Sequence, residues 1–479
     1  MNVRRYQKWA KSGLAILLAG AMMVGTAASG GGMTAQAAET ESSDTVSTQK
    51  AVTSDAASLL FTEKHITSDL TLPTIGASGT TISWKSSNPS VLSNEGKVTR
   101  PKKGAADEEV TLKGTVKMGD YAKARNFTFV VLAESEMGPT KEFALDQVEL
   151  LDDYYLTAQN SDIEFLKKFD NDRLLSRFRE TAGLDTKKIA PYGGWEDGWL
   201  GGHSVGHYLT AIAQAVKATG NADLKEKSKQ LIEGLAECQN KLGTGFIFGA
   251  KIETEGYVEK QFDILEGKTT GKTWVPWYNM HKMLTGLVDT YKYTGSKQAL
   301  EVAKKLGDWI YNRVSKWDAG TQGRVLGTEY GGMNDCLYEL YLCTRDSKHL
   351  EAAHKFDQPN LYKTVAKGGK NCLNGKHANT TIPKFLGALK RYVVLEQTGE
   401  LTKDDEAYLT NVEKFFDIAV TRHAYITGGV SVMEHFRKDN NQDGTRTQTN
   451  CESCCAHNML KMAKELYKVT GDKKYADYY

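Results

Sequence analysis

Beyond about residue 143, apolar residues recur at i, i+3, i+4 and i+7, the spacing that gathers them on one face of a helix. The pattern also repeats on a larger scale. "HYLTAIAQAVKATGNADLKEKSKQLIEGLAECQNKL" reads as helix, Thr-Gly turn, helix, and "MHKMLTGLVDTYKYTGSKQALEVAKKLGDWIYNRV" repeats the arrangement. "IPKFLGALKRYVVLEQTGE" followed by "DEAYLTNVEKFFDIAVTRH" gives a third copy, and "AHNMLKMAKELYKVTGDKKYADYY" begins a fourth. "MNDCLYELYLCTRDSKHLEAAHKF" is a variant with Arg-Asp at its turn. Such self-similarity predicts an array of helix pairs, either open as a solenoid or closed into a toroid. The loops before each first helix favour closure. "YGGWEDGWLGGHSVGH", "TWVPWYNMHK", "LNGKHANTTIPK" and "YITGGVSVMEHF" carry Trp, His and Glu rather than plain turn residues. Loops of that kind at equivalent places predict one rim around one cavity, hence a mainly α fold, an (α/α) toroid with its site at the mouth.

The chain before residue 143 is organised differently. "TISWKSSNPSVLSNEGKVTRP" and "EEVTLKGTVKMGDYAKARNFTFVVL" alternate with period 2 and are separated by turn residues, which predicts a small β-sandwich over 56–133. Ser-, Thr- and Asp-rich residues 38–55 read as a flexible linker, and 134–142 as a second one. At the N-terminus, basic "MNVRRYQKWAKSG", apolar "LAILLAGAMMVGTAA" and small-residue "AQA" (Ala35–Ala37) follow in the order of a secretory signal peptide. We therefore expect residues 1–37 to be removed and the protein to be secreted or held at the cell surface, without a membrane partner after cleavage. An uncleaved anchor is the alternative.

Charge narrows the partner. A net charge of +2 over 479 residues lacks the concentrated basic excess that nucleic acid requires. Neutral ligands suit this balance better, and some of the 22 Tyr and 8 Trp can offer flat apolar faces.

Candidate chemistry concentrates in the rim loops. Glu434 follows a Gly-Gly pair among apolar neighbours, where partial desolvation would raise a carboxyl pKa and suit a general acid; an exposed loop glutamate is the plainer reading. In "NCESCC", Glu452 and Cys454 stand at i, i+2 and can reach one ion, zinc by donor type. A Cys451–Cys454 disulfide is weighed equally, a vicinal pair of inert thiols is the other alternative, and "CESC" alone lacks the second pair of a structural zinc site. His203 and His207 share a helix face at i, i+4 without the glutamate of a metalloprotease motif, so packing or hydrogen bonding is the commoner role. His281 and His377 each begin a helix; as neutral rings, these histidines can bond sugar hydroxyls. Trp195, Trp199, Trp274 and Trp277 are stacking faces or core aromatics. Glu196 and Asp197 are either ligand-contacting carboxylates or solvated loop charges, the latter favoured, and Cys238, Cys336 and Cys343 read as buried small hydrophobes.

Taken together the motifs resemble a known family. "GGHSVGHYLTA", "WVPWYNMHKMLTGLVDTY", "HANTTIPKFLGA", "YITGGVSVMEHF" and "CESCCAHNMLKMAKELY" occur in the order found in the catalytic domain of bacterial β-L-arabinofuranosidases of glycoside hydrolase families 127 and 146. The segment around Trp84 resembles the atrophied bacterial immunoglobulin-like module often appended to secreted carbohydrate enzymes. The resemblance implies an (α/α)6 barrel over 143–479, preceded by the small immunoglobulin-like β-sandwich. It implies retaining hydrolysis of β-L-arabinofuranosides in plant polysaccharide or glycoprotein glycans, by a zinc-bound cysteine thiolate with a glutamate as acid and base. Glu434 matches the acid/base, Glu452 and Cys454 match two zinc ligands, and His281, His377 and, less closely, His203 match sugar contacts; Trp195 and Trp277 join them as candidate substrate contacts. The family's other zinc ligands, a tandem cysteine pair that includes the nucleophile, have no counterpart before Tyr479. The expectation is thus a barrel incomplete at its C-terminus, with half a zinc site. A carboxylate-only (α/α) glycosidase such as an unsaturated glucuronyl hydrolase, and a non-catalytic glycan-binding protein, are the alternatives.

Overall fold

The computed structural model describes residues 36–61, 64–66, 69–102, 105–133, 142–250 and 257–479, without the side chains of 36–45 and Asp197. The expected signal peptide and second linker fall almost wholly outside these residues. Residues 1–50 and 51–479 form two compact units. The described part of the first is the beginning of helix α1 (Gln36–Ser58). Residues 38–55, expected as a linker from their polarity, are therefore helical: the run contains neither Gly nor Pro to break it.

In the second unit the last turns of α1 bury Val52, Asp55 and Ala56. They share a core with the sheet of β1 (His65–Ile66), β2 (Thr81–Ser86), β3 (Glu108–Met118) and β4 (Tyr121–Val131), in the order β1-β4-β3-β2. β1 runs parallel to β4, and the other pairs are antiparallel. Strict alternation sends Val110, Leu112 and Val116 inward. Gly114 keeps the same face free for Trp84, whose ring lies 2.7 Å from where a Cβ would stand.

The helical region runs α2 (Asp153–Lys167), α3 (Asn171–Ala182), α4 (His203–Thr219), α5 (Ala222–Leu242), α6 (Lys260–Leu265), α7 (Pro276–Thr294), α8 (Lys297–Val314), α9 (Ala319–Leu326), α10 (Met333–Thr344), α11 (Ser347–His354), α12 (Pro359–Ala366), α13 (Ala378–Thr398), α14 (Glu406–His423), α15 (Ser453–Thr470) and α16 (Lys473–Tyr478). Helices α4, α7, α10, α13 and α15 pack side by side in that order as an inner layer. Helices α5, α8, α11 and α14 return along the outside. This is the helix-pair architecture of an (α/α) barrel.

Each inner helix ends at a residue in the left-handed region: Gly220, Gly295, Arg345, Gly399 and Gly471. Such a residue reverses the chain into the outer helix, and glycine adopts it without a Cβ penalty. The inner helices therefore point the same way, with their N-termini at one end.

Glycines also let the inner layer contract. A Cβ on Gly206 of α4 would stand 2.0 Å from the Lys282 carbonyl oxygen of α7, and one on Gly286 would stand 2.5 Å from the Gly206 carbonyl. Gly387 of α13 leaves room for the buried Asn334 of α10 in the same way. Charge ties three inner helices together, because Glu339 of α10 bridges Lys292 of α7 at 2.7 Å and Lys390 of α13 at 2.6 Å. Burial favours protonation of this carboxyl, but Lys390 and Lys292 hold it far below the usual carboxylate range.

The sheet docks at the C-terminal ends of the inner helices. Lys64 pairs with Glu396 at 2.7 Å, and the Gly399 turn lies against Asn126 and Arg125 of β4. Arg125 is buried and donates to the Ala56 and Ala57 carbonyls at the end of α1, at 3.0 and 3.1 Å.

Candidate functional site

The N-terminal ends of the inner helices carry the candidate residues. α4 opens with His203, α7 with Trp277, Tyr278 and His281, α13 with His377 as its N-cap, and α15 with Glu452 as its N-cap. The helical repeat thus brings together residues up to 250 positions apart in sequence, and the loops between helices complete the constellation.

Glu434 stands on one of these loops. Val432 and His435 exchange backbone hydrogen bonds at 3.0 and 3.1 Å, which leaves Met433 and Glu434 as a two-residue hairpin turn. Their φ values are 46° and 63°. Two successive positive values are the signature of a type I′ turn, normally filled by Asn-Gly. Neither residue suits that region, at a cost of about 1–2 kcal/mol each. The strain is held by the surroundings: the Glu434 carbonyl accepts the Ala378 amide at 2.7 Å, and the Met433 amide donates to Thr449 at 3.0 Å. The side chain at the turn's tip is 55% exposed, and its Oε2 lies 3.2 Å from His377 Nε2. Since Met433 is itself exposed, Met433→Asn sacrifices little packing. It should stabilise the protein by about 0.5–1 kcal/mol in urea unfolding. A loss of stability would contradict the strained-turn reading.

The loop reaches the cysteine cluster through a short pairing. Val432 bridges to Asn450, and the Cys451 amide donates to Ser431 at 3.2 Å. Beyond it Cys454 Sγ donates to Glu452 Oε1 at 3.1 Å. Burial, reinforced by Glu452, pushes the Cys454 thiol up to about 11. Cys455 is buried, 3.6 Å from Glu452 Oε2 and 3.7 Å from the Ser431 hydroxyl; burial raises it to about 12. All seven cysteines are free, so the Cys451–Cys454 disulfide alternative is not formed.

Across from α15, Tyr278 and Lys282 of α7 complete this wall, with Lys282 Nζ 4.8 Å from the Tyr278 ring centre. Burial raises the Tyr278 phenol to about 12, and the nearby Glu329, Cys454 and Glu452 add to it. Burial lowers Lys282 to about 8, aided by the Lys461 charge. Tyr278, Lys282 and Glu329 were missed in the sequence. Glu329 had a readable signal, since it sits in the loop before α10, the place the other rim residues occupy in their repeats.

The histidines have distinct settings. His203 Nδ1 lies 2.5 Å from the Leu200 carbonyl and 2.9 Å from Glu196 Oε1. Glu196 also accepts the Gly202 and Ser204 amides at 2.7 and 3.1 Å. It is therefore an anchored carboxylate at the start of α4, not the solvated loop charge expected. Burial favours its protonated form, but His203 and these amides hold its pKa below the usual value. His281 is 8% exposed and its Nδ1 accepts the Gly332 amide at 3.0 Å. A Cβ on Gly331 would stand 2.4 Å from that nitrogen, so glycine is required for the approach.

Trp195, 68% exposed, lies 6.4 Å from the half-exposed Trp274, and both remain available as stacking faces. Trp277 is a correction. It is 1% exposed and packed among Phe262, Trp309, Trp317 and Phe356, so it is a core residue out of reach of a substrate.

The donor types of Glu452 and Cys454 fit zinc: a carboxylate and a thiol already share a proton at 3.1 Å, and a cation of that preference would replace the proton. They would supply two of its usual four ligands. A separate group, Asp308, Asp346 and His349, places three possible ligand atoms within 4.8 Å of one another. It belongs to the outer layer, and Lys348 Nζ already lies 3.3 and 3.8 Å from its two carboxylates.

The family described as β-L-arabinofuranosidase, GH127 catalytic domain, matches residues 147–479, and the atrophied bacterial Ig domain matches 41–134. Comparison with curated proteins finds no match. Among solved structures, a GH127 β-arabinofuranosidase is 18% identical with a TM-score of 0.49, over 70% of this chain and 52% of its own. A GH127 β-L-arabinofuranosidase from Geobacillus stearothermophilus T6 is 17% identical with a TM-score of 0.45, over 68% of this chain and 51% of its own. The chain thus spans about half the length of the solved structures it matches.

Proposed function

We infer that this chain, which belongs to the GH127 β-L-arabinofuranosidase catalytic-domain family, serves hydrolysis of β-L-arabinofuranosides in plant polysaccharide or glycoprotein glycans outside the cell. The observation that carries the reading is local. One loop holds Glu434 against His377 and, through the Val432–Asn450 pairing, leads directly into the Glu452–Cys454 pair.

In this reading Glu434 gives a proton to the departing glycosidic oxygen and later takes one from water. Its exposed carboxyl on a fixed turn suits both steps. Glu452 and Cys454 are two ligands of a zinc ion that, when bound, keeps thiol sulfur deprotonated at neutral pH. His203 and His281 orient sugar hydroxyls, and Trp195 offers an apolar face to a ring. Export rests on the N-terminal segment; no helix among the described residues is long and apolar enough to cross a membrane.

The test is release of nitrophenol from a nitrophenyl β-L-arabinofuranoside by zinc-supplemented protein, with the α-anomer and an unsaturated glucuronide as comparisons. Turnover confined to the β-L-arabinofuranoside supports the reading; turnover of the glucuronide alone, or of none, refutes it. Zinc uptake, measured by equilibrium dialysis, should fall in Cys454→Ser and Glu452→Gln. Uptake unchanged in both would refute the ligand assignment.

A further inference from the structure

Backbone geometry settles which nitrogen of His377 carries its proton. The Thr380 amide donates to His377 Nδ1 at 3.3 Å, as the N-cap of α13 requires. An N–H cannot accept, so Nδ1 holds a lone pair and the ring is neutral with its proton on Nε2. Nε2 is the atom 3.2 Å from Glu434 Oε2. The hydrogen bond therefore has one direction, from His377 Nε2–H to Glu434 Oε2. The neighbouring His435 does not compete, since its Nδ1 is turned to the Met433 carbonyl at 2.7 Å. The two chain segments are locked beside each other by the Ala378 amide on the Glu434 carbonyl and by paired bonds between Gly375, Lys376 and Phe436.

We propose that His377 is a positioning residue for Glu434: by donating to Oε2 it confines the transferable proton of the acid to Oε1. This rests on the reading of Glu434 as the acid and base. A protonated Oε2 would set a hydroxyl against the Nε2–H, two donors face to face. The acid form thus carries its hydrogen on Oε1, the oxygen turned away from His377. As a nucleophile's electron pair bonds to the anomeric carbon and the glycosidic bond breaks, the leaving oxygen keeps the bonding pair and takes the Oε1 proton, and Glu434 becomes a carboxylate. In the return step the water oxygen bonds to the anomeric carbon, the nucleophile leaves with its electron pair, and Oε1 accepts the water proton, while Oε2 keeps its bond to His377 throughout. His377, matched by resemblance to a sugar contact, therefore uses its ring hydrogen on the acid.

His377→Asn separates this role from the helix cap. Asparagine caps as well as histidine, through its side-chain oxygen, but is too short to span the gap to Glu434. The expected result is a fall in kcat of about 10- to 100-fold, the worth of a hydrogen bond to a charged group, with KM changed less than threefold. The same substitution in a Glu434→Gln background should cost less than twofold, because the residue acts through the glutamate. Wild-type kcat in His377→Asn, or an equal loss in both backgrounds, overturns the proposal. An independent readout needs no turnover: long-range 15N–1H spectra of the resting protein, with His377 assigned by its disappearance in His377→Asn. A neutral Nε2–H ring supports the proposal and an Nδ1–H ring overturns it. Absence of hydrolysis by the wild type would count against the functional reading alone, while the spectra still decide the tautomer.

Discussion

Glu434→Gln is expected to lower kcat on a nitrophenyl arabinofuranoside by about 10²–10⁴-fold while leaving the fold intact. The range is what a positioned proton donor and acceptor contributes to a reaction of this kind. Glutamine keeps the size of the side chain and an oxygen that can accept from His377 Nε2, so the turn and the neighbouring histidine stay in place. It cannot release or take up the proton. A substrate whose leaving group needs little protonation, such as a dinitrophenyl glycoside, should recover much of the first step but not the second. A burst of dinitrophenol followed by a slow steady rate is then expected. If Glu434→Gln retains wild-type rates on both substrates, the acid/base lies elsewhere.

Gly206→Ala carries the second large effect, on stability. An added Cβ at this position meets the backbone carbonyl of Lys282, not a side chain that can swing aside, and the separation would be 2.0 Å. The two inner helices must then move apart. Alanine's better helix propensity returns about 1 kcal/mol, and overpacking costs about 3 kcal/mol or more, for a net loss of roughly 2 kcal/mol or more in urea unfolding. Gly220→Ala is the comparison: it adds a Cβ into open space and meets only the penalty of its φ of 69°, about 1 kcal/mol. Equal losses in the two variants would show that the contact between α4 and α7 is not tight. The consequence extends to the site, because Gly206 lies one turn beyond His203 and packs against Lys282. Separation of these helices moves His203 away from Tyr278, its ring neighbour at 6.1 Å.

Much of this was readable from the chain. The helix pairs could be placed because period and punctuation agree: four of the five inner helices end at glycine, and the fifth turn, at Arg345, was identifiable from Arg-Asp in the same place. The long strands β2, β3 and β4 follow from alternation. Helix α1 was hidden by composition, since its Ser, Thr and Asp resemble a linker although nothing in it breaks a helix. Trp277 was misread although its signal was present. It shares a stripe with Met280, Leu284 and Leu287 at intervals of three, seven and ten, all buried, whereas the next residue, Tyr278, faces the site. Glu196 was misread because its partners are the amides of Gly202 and Ser204, and side-chain types cannot reveal bonds to backbone. The Met433–Glu434 turn had no signal at all. Its sequence lacks Asn-Gly, and only the pairing of Val432 with His435 forces both residues into the left-handed region.

The docked sheet has a geometric consequence. It lies against the Gly399 turn, at the C-terminal ends of the inner helices, whereas Glu434, His377 and Cys454 lie at their N-terminal ends. Sheet and mouth are at opposite poles of the barrel. A surface gripped through the sheet would leave the mouth facing outward, open to a polymer too large to pass behind it.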